Sequence, residues 1–445
     1  MFQFKKSTAL ILLFVFLSCE SDLGIEFPIS APEISFVKTF GGSNNESGRS
    51  VVATQDGGYA VLGYSQSIDG DVPTGQGAIQ YDSWLLKFDA QDNLQWQKVF
   101  GGSKDDKTYQ IIETSDNGFA IIGASKSNDG SLTNNQGFED VWLLKLTANG
   151  AISWQTTTGF SGSDQGYSLT QTADGGYFVG GILDVSASGG QGNSKTLQRH
   201  AGGDYWAIKY SANGTVEWRK YFGGTNTDTC YAVIELADGY VLAGSSDTND
   251  VDVTNNKGSY DFWLVKINKS GSLVWEKSFG GKEIDEAFSM LKTADNNILV
   301  TGDTRSSDQD VSKQQGASDI WLIKVSPDGN LLWERTYGGT GFDAARAVFE
   351  TTEGQYIVAG NTRSMDGNSS ENKGANDVWL LKLSSSGSLI WQKSIGGSGI
   401  DLAFGLTQLQ DKSIVIVGES DSKDQDILIN KGFTDLLIIK LNEIF

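Results

Sequence analysis

The sequence predicts an all-β chain, a seven-bladed β-propeller of four-stranded antiparallel blades closed by the N-terminal strand completing the last blade. Three observations carry that prediction. First, the motif Asp, any residue, Trp, two apolar residues and Lys recurs seven times, from Asp82–Lys87 to Asp435–Lys440, with Leu437 replacing Trp in the last copy. Its steps are 58, 64, 57, 58, 58 and 58 residues, so only the third copy carries an insertion. A fixed period of this size is the mark of a repeat architecture. Second, each repeat divides into four short apolar runs separated by Asp-Gly or Asn-Gly turns, the pattern of meandering antiparallel strands. Third, the seventh repeat ends after its third run, IIKLNEIF, while a surplus fourth run, ISFVKTFGG, precedes the first repeat. The count of strands balances only if that N-terminal run completes the seventh blade, which leaves no open sheet edge.

Composition agrees. There are 55 Gly but 4 Pro, with 12 Trp, 14 Tyr and 22 Phe, giving turn formers and large side chains for pleated buried surfaces. The net charge of −21 repels phosphate backbones and anionic headgroups, which excludes nucleic acid as a partner.

The elements follow in chain order. Residues 1–18 read as a lipoprotein signal peptide, because Lys5 and Lys6 precede an apolar run, Ala9 to Leu17, too short to span a bilayer. The stretch Phe16-Leu17-Ser18-Cys19 resembles the lipobox of bacterial lipoproteins, with Phe16 where that motif usually has Leu. The resemblance implies that Cys19 is diacylated and becomes the new N-terminus. A plain signal peptide with a free thiol beyond it is the alternative. Residues 19–33 then form a lipidated Cys and polar tether, and Glu20 and Asp22 resemble the surface-export signal of some Gram-negative outer-membrane lipoproteins. The expected location is the outer membrane, lipid-anchored and surface-exposed, with the membrane touched by the anchor alone.

Residues 34–445 form the propeller. In the second copy the runs TYQIIET, GFAIIGAS, DVWLLKL and AISWQTTT are strands a, b, c and d. Their apolar character is almost continuous, as expected where both faces of a sheet are covered. No run keeps a 3.6-residue apolar period long enough for a helical solenoid. With its GG, DGGY, D-x-W-L-x-K and G-x-x-x-W punctuation, the repeat resembles the delta-60 propeller repeat of secreted and lipid-anchored bacterial proteins. That resemblance implies the fold and no shared catalytic constellation.

Recurrent polar residues sort by face. The a-to-b turns carry one acid per blade, among them Asp56, Asp116, Asp174, Asp238, Asp295, Glu353 and Asp411, and strand c brings Lys87, Lys145, Lys209, Lys266, Lys324, Lys382 and Lys440 to the same bottom face. An ion pair per blade is expected, because a Lys between covered sheets needs a partner. On the opposite, top face, Glu46, Asp106, Asp164, Asp228, Asp285, Asp343 and Asp401 follow the GG corner and precede strand a. They form a candidate carboxylate ring around the channel mouth, either a cation site or electrostatic funnel, or acceptors for the amides of their own corners. The GG pairs are expected to allow backbone conformations that a β-carbon forbids.

The long b-to-c loops carry Asp69 and Asp71, Asp250 and Asp252, Asp308 and Asp310, and Asp424 and Asp426, alternating oxygens like the start of a calcium loop but lacking the Gly and bidentate Glu an EF-hand needs. Calcium is the one metal in view, and no cofactor is required. The inserted loop of the third copy brings Lys195, Arg199 and His200 to the top face as a candidate specificity loop. Cys230 stands where sister repeats have Ala287, Ala345 and Ala403, a small core position.

The sequence contains no metal-binding His cluster, GxSxG elbow or phosphate loop. The expected function is a non-catalytic, monomeric cell-surface lipoprotein that binds a protein or glycan partner through its top-face loops. The alternatives are a carbohydrate-binding, lectin-like propeller and a polysaccharide-active or quinoprotein-like enzyme.

Overall fold

A computed structural model describes residues 30–73, 80–132, 134–189 and 200–442. Cys19, the signal peptide, most of the tether, Lys195 and Arg199 lie outside the described residues. The chain forms seven four-stranded antiparallel sheets, with a single short helix, Val185–Ser188, among the described residues. Each sheet is one blade, ordered a-b-c-d from the axis outward. In the first blade these are Glu46–Ala53, Tyr59–Ser65, Asp82–Phe88 and Leu94–Phe100. The a strands touch one another in a closed circle, the first meeting both the second and the seventh.

Closure follows the expected route. The N-terminal strand Ile34–Phe40 pairs antiparallel with Asp435–Leu441, Val37 facing Ile439 and Phe40 facing Leu436, so it is strand d of the seventh blade. The core lies between blades as seven apolar clusters, each built from two neighbouring sheets; one packs Leu62 and Phe100 of the first blade against Ile121 and Trp142 of the second. Strand-c tryptophans are fully buried. Five of the six donate their indole N–H to a strand-d amide or carboxylate, as Trp84 does to Gln97 at 2.9 Å and Trp321 to Glu334 at 3.0 Å, while Trp206, with Arg219 at that place in strand d, does not. Strand-d tryptophans cover the c-to-d turn of the next blade: Trp96 lies over Gly150 and Trp154 over Gly214, glycines at φ 76° and 80° where a side chain would be both strained and in collision.

On the bottom face five blades make the expected ion pair, from Lys87–Asp56 at 2.9 Å to Lys324–Asp295 at 2.7 Å. The last two blades depart from it: Glu353 pairs with Lys412 at 2.8 Å and Lys440 with Asp92 of the first blade at 2.9 Å. Asp92 has φ 63°, and that left-handed turn swings its carboxylate under the closing blade.

Candidate functional site: the top corners and the channel collar

Every blade begins at a corner where one glycine is held between two carboxylates. The ring acid accepts the amide N–H of the second corner residue at 2.7–2.9 Å in all seven blades, Gly102 to Asp106 and Gly397 to Asp401 among them. Hydroxyls at the end of strand b and just past it add further bonds: Ser125 and Ser127 donate to Asp106 at 2.5 and 2.7 Å, and Ser420 and Ser422 to Asp401 at 2.5 and 2.9 Å. All seven ring acids, Glu46, Asp106, Asp164, Asp228, Asp285, Asp343 and Asp401, are buried. Beside each stands the first residue of the strand-c motif. Asp82, Asp140, Asp261, Asp319 and Asp377 leave Oδ1 without a hydrogen-bond partner among the described residues, lying against the first corner glycine.

The corner glycines are therefore required by room and not by backbone conformation. Gly101, Gly159, Gly280, Gly338 and Gly396 carry no left-handed φ, yet a β-carbon on any of them would collide with the strand-c Oδ1, at 2.5 Å or less, and crowd the ring acid at 2.5–3.2 Å. Burial pushes the carboxyls up: Asp82 and Asp261 to about 7, Asp140, Asp319, Asp377 and Asp164 to about 6, and Asp228 to about 8.

The b-to-c loop acids brace the same corners. Asp69, Asp250, Asp308 and Asp424 accept the amide of the residue after the GG pair, at 2.8, 3.1, 3.0 and 2.7 Å. Asp71, Asp310 and Asp426 accept the first glycine's amide and pair with Lys431, Lys257 and Lys373 of the preceding blade, stitching neighbours together. The remaining loop acid, Asp252, sends its amide N–H to the Gly223 carbonyl at 3.2 Å. Among the described residues no group of three or more His, Cys, Asp or Glu side chains is arranged to hold a metal ion. His200 lies buried, its Nδ1 2.5 Å from Asp204 Oδ2 and its ring edge-on to Tyr221. It replaces the backbone amide that serves the same aspartate elsewhere, as Gln136 serves Asp140 at 2.7 Å. Cys230 is buried, and burial raises its thiol well above the ordinary range.

The channel has a feature the sequence reading missed. Every a strand carries a bulge at the third residue after the ring acid, where the register to strand b slips. The bulged residues are Arg49, Tyr109, Tyr167, Tyr231, Phe288, Arg346 and Phe404, each half-buried on the wall of a central cavity of about 500 Å³. A bulge turns one side chain out of the alternation of its strand, and seven bulges at one height make a collar. Tyr109, Tyr167, Tyr231 and Phe288 form an arc of successive ring contacts at 5.0, 5.2 and 5.1 Å. Arg346 closes one end of it, 3.7 Å from the centre of Phe288, and Arg49 lies 3.8 Å from the centre of Phe404. The residue after each bulge also lines the cavity and is small in six blades, Ser50, Ser168, Ala232 and Ser289 among them, and Gln110 in the second. The signal was a column of the repeat that is always Arg, Tyr or Phe, preceded by a column that is always small.

No protein-family model matches the chain. Over 410 residues, 81% of the chain, it is 21% identical to the regulatory protein FlaEY of Caulobacter vibrioides, and it spans 41% of that relative's length. Among solved structures it is similar to the WD40 β-propeller domain of Doa1, with a TM-score of 0.50 and 12% identity over 93% of this chain and 98% of that one. BamB from Moraxella catarrhalis matches with a TM-score of 0.39 and 12% identity, over 89% and 100% of the two chains. At such identities the Doa1 likeness shows the propeller fold and nothing of activity.

Proposed function

We propose that this propeller is a non-catalytic scaffold that binds a protein partner through its top face, over the sixth, seventh, first and second blades. One observation carries the reading: the large apolar side chains that break the repeat and stand in solvent gather there. Met365 is 74% exposed, Leu428 74%, Ile429 63%, Phe433 69%, Ile68 51% and Phe138 66%, on the b-to-c loops of these four neighbouring blades, whereas the described b-to-c loop residues of the other three expose one large apolar side chain, Val251 at 40%. Isolated exposed apolar residues need no explanation, but a group of them on one face of a rigid scaffold fits a binding surface. The acids that recur in every blade are engaged in corners and ion pairs, which fits architecture better than a unique reaction centre.

The test places a photo-crosslinking residue at Phe433 of the full chain in cells that make it. A discrete adduct is expected, lost with Phe138→Ser and Leu428→Ser, and absent when the probe replaces Leu94 on the outer rim. Equal adducts from both positions, or none, would contradict the reading.

Attachment to the outer membrane through Cys19 is part of the same proposal, supported by Lys5 and Lys6, the apolar run and Phe16-Leu17-Ser18-Cys19. A chain labelled by a palmitate analogue, with the label lost in Cys19→Ala, is the expected outcome. An unlabelled chain would remove the anchor.

A further inference from the structure

Two cations at the collar, Arg49 in it and Lys107 beside it, have no carboxylate within 4 Å among the described residues. In a chain of net charge −21, most described lysines and arginines that are even partly buried have a carboxylate close by. Arg346 is one: its Nη1 sits 3.2 Å from Asp303 Oδ1. Arg49 occupies the equivalent bulge two blades further round the ring, and no carboxylate among the described residues lies within 4 Å of it. Its contacts are Phe404 at 3.8 Å and Tyr64 at 5.8 Å from the ring centres. Lys107, one residue after the ring acid of the next blade, also has no carboxylate within 4 Å among the described residues; Asp105, itself paired with Lys126, and Glu139 act on it from farther off, it lies 5.0 Å from Tyr64 and 4.0 Å from Tyr81, and burial lowers its pKa. Two half-buried cations sharing the face of Tyr64 are a poor arrangement unless an anion joins them, because a desolvated charge is costly without a partner.

The walls narrow the ligand further. Stacking on Phe404 fixes the plane of the Arg49 guanidinium while leaving its edge, with five N–H donors, to meet a carboxylate as a fork. Across the cavity stands the arc of Tyr109, Tyr167, Tyr231 and Phe288, flat faces for a ring to lie against. Ser50, Gln110 and Ser289 line the same space with hydroxyl and amide groups, more than an apolar ligand would use. Glu286 and Asp303 are paired across strands a and b near the same mouth and disfavour a dianion. The cavity, about 500 Å³, takes one or two sugar rings.

We infer that the collar is a binding site for a carboxylated sugar, its carboxylate between Arg49 and Lys107 and its ring against the tyrosine arc. The site is separate from the top-face loops proposed to dock a protein, and either can fail without the other. The probe is galacturonate, titrated into the full chain by calorimetry beside galactose, acetate and sulfate. Galacturonate is expected to bind about tenfold or more tightly than each of the three, the margin of one charge-assisted contact. Arg49→Gln and Lys107→Gln are each expected to weaken it about tenfold. Arg49→Lys, which keeps the charge but not the fork, should fall between, and Lys98→Gln on an outer strand should change nothing. Unchanged melting temperatures certify that the variants fold. Absence of galacturonate binding, galactose, acetate or sulfate binding as well as galacturonate, or an unaffected Arg49→Gln would each overturn the inference.

Discussion

At the scale of single residues, the corner glycine and its two acids show what a sequence can and cannot say. The spacing of Asp106 after Gly101 and Gly102 was legible, and so was its place on the top face. Which way its oxygens point was not, since that depends on Ser125 and Ser127, at the end of another strand and just past it. Two predictions belong here. Gly101→Ala puts a β-carbon into Asp82 Oδ1, whereas Gly175→Ala meets no atom within 4 Å and suffers only its φ of 83°. Chemical denaturation should find the first costing about 2–4 kcal/mol and the second about 1 kcal/mol. The second prediction concerns pH. Carboxyls raised from an ordinary 3.8 to about 6–8 keep protons in the folded chain that the unfolded chain has released. Their stabilisation is complete below about pH 4 and is lost as pH rises through 6 to 8. The Thr114 hydroxyl and Lys145 hold Asp116 at about 2, and the Thr172 hydroxyl with Lys209 holds Asp174 there, so those acids lose stability only below pH 4. The melting temperature should therefore peak near pH 4–6 and fall by pH 8; a flat or rising curve over pH 5–8 would contradict the burial of the corner pairs.

Among the elements, strands b and c were readable because their apolar runs are continuous, and the turns because Asp-Gly and Asn-Gly leave little choice. Strand a hid its main feature. A bulge adds one residue without disturbing the local pattern of small and large side chains, so the collar showed only when the register was seen. Strand c supplies the prediction at this level. Lys324 is buried while its partner Asp295 is half in water. Removing the lysine, as in Lys324→Met, leaves an acid that solvent can satisfy and should change stability by less than about 1 kcal/mol. Asp295→Ala strands a buried ammonium and should cost about 1–3 kcal/mol, despite the Tyr356 hydroxyl at 3.0 Å. Equal losses would mean that the pair is worth its own attraction and not the burial of the lysine. Loop acids engaged by amides and lysines, such as Asp310 with Gly280 and Lys257, also lead us to expect no change in melting temperature at millimolar calcium; a rise of several degrees would restore the calcium reading.

For the whole molecule, the number of blades and the split seventh blade were legible because counting strands is arithmetic that tertiary structure cannot override. What partner the disc holds was not, because the repeat is written for its architecture and the partner-facing residues are those few that depart from it. Each carboxylate ring, the collar and the top face exist only because the N-terminal ribbon is the outer strand of the last sheet. Hydrogen exchange followed by mass spectrometry along a denaturant series tests that most directly. Peptides from residues 34–40 and 435–441 should be protected alike and lose protection at the same denaturant concentration. Free exchange of 34–40 while 435–441 stays protected would show that the ring is not closed by this strand.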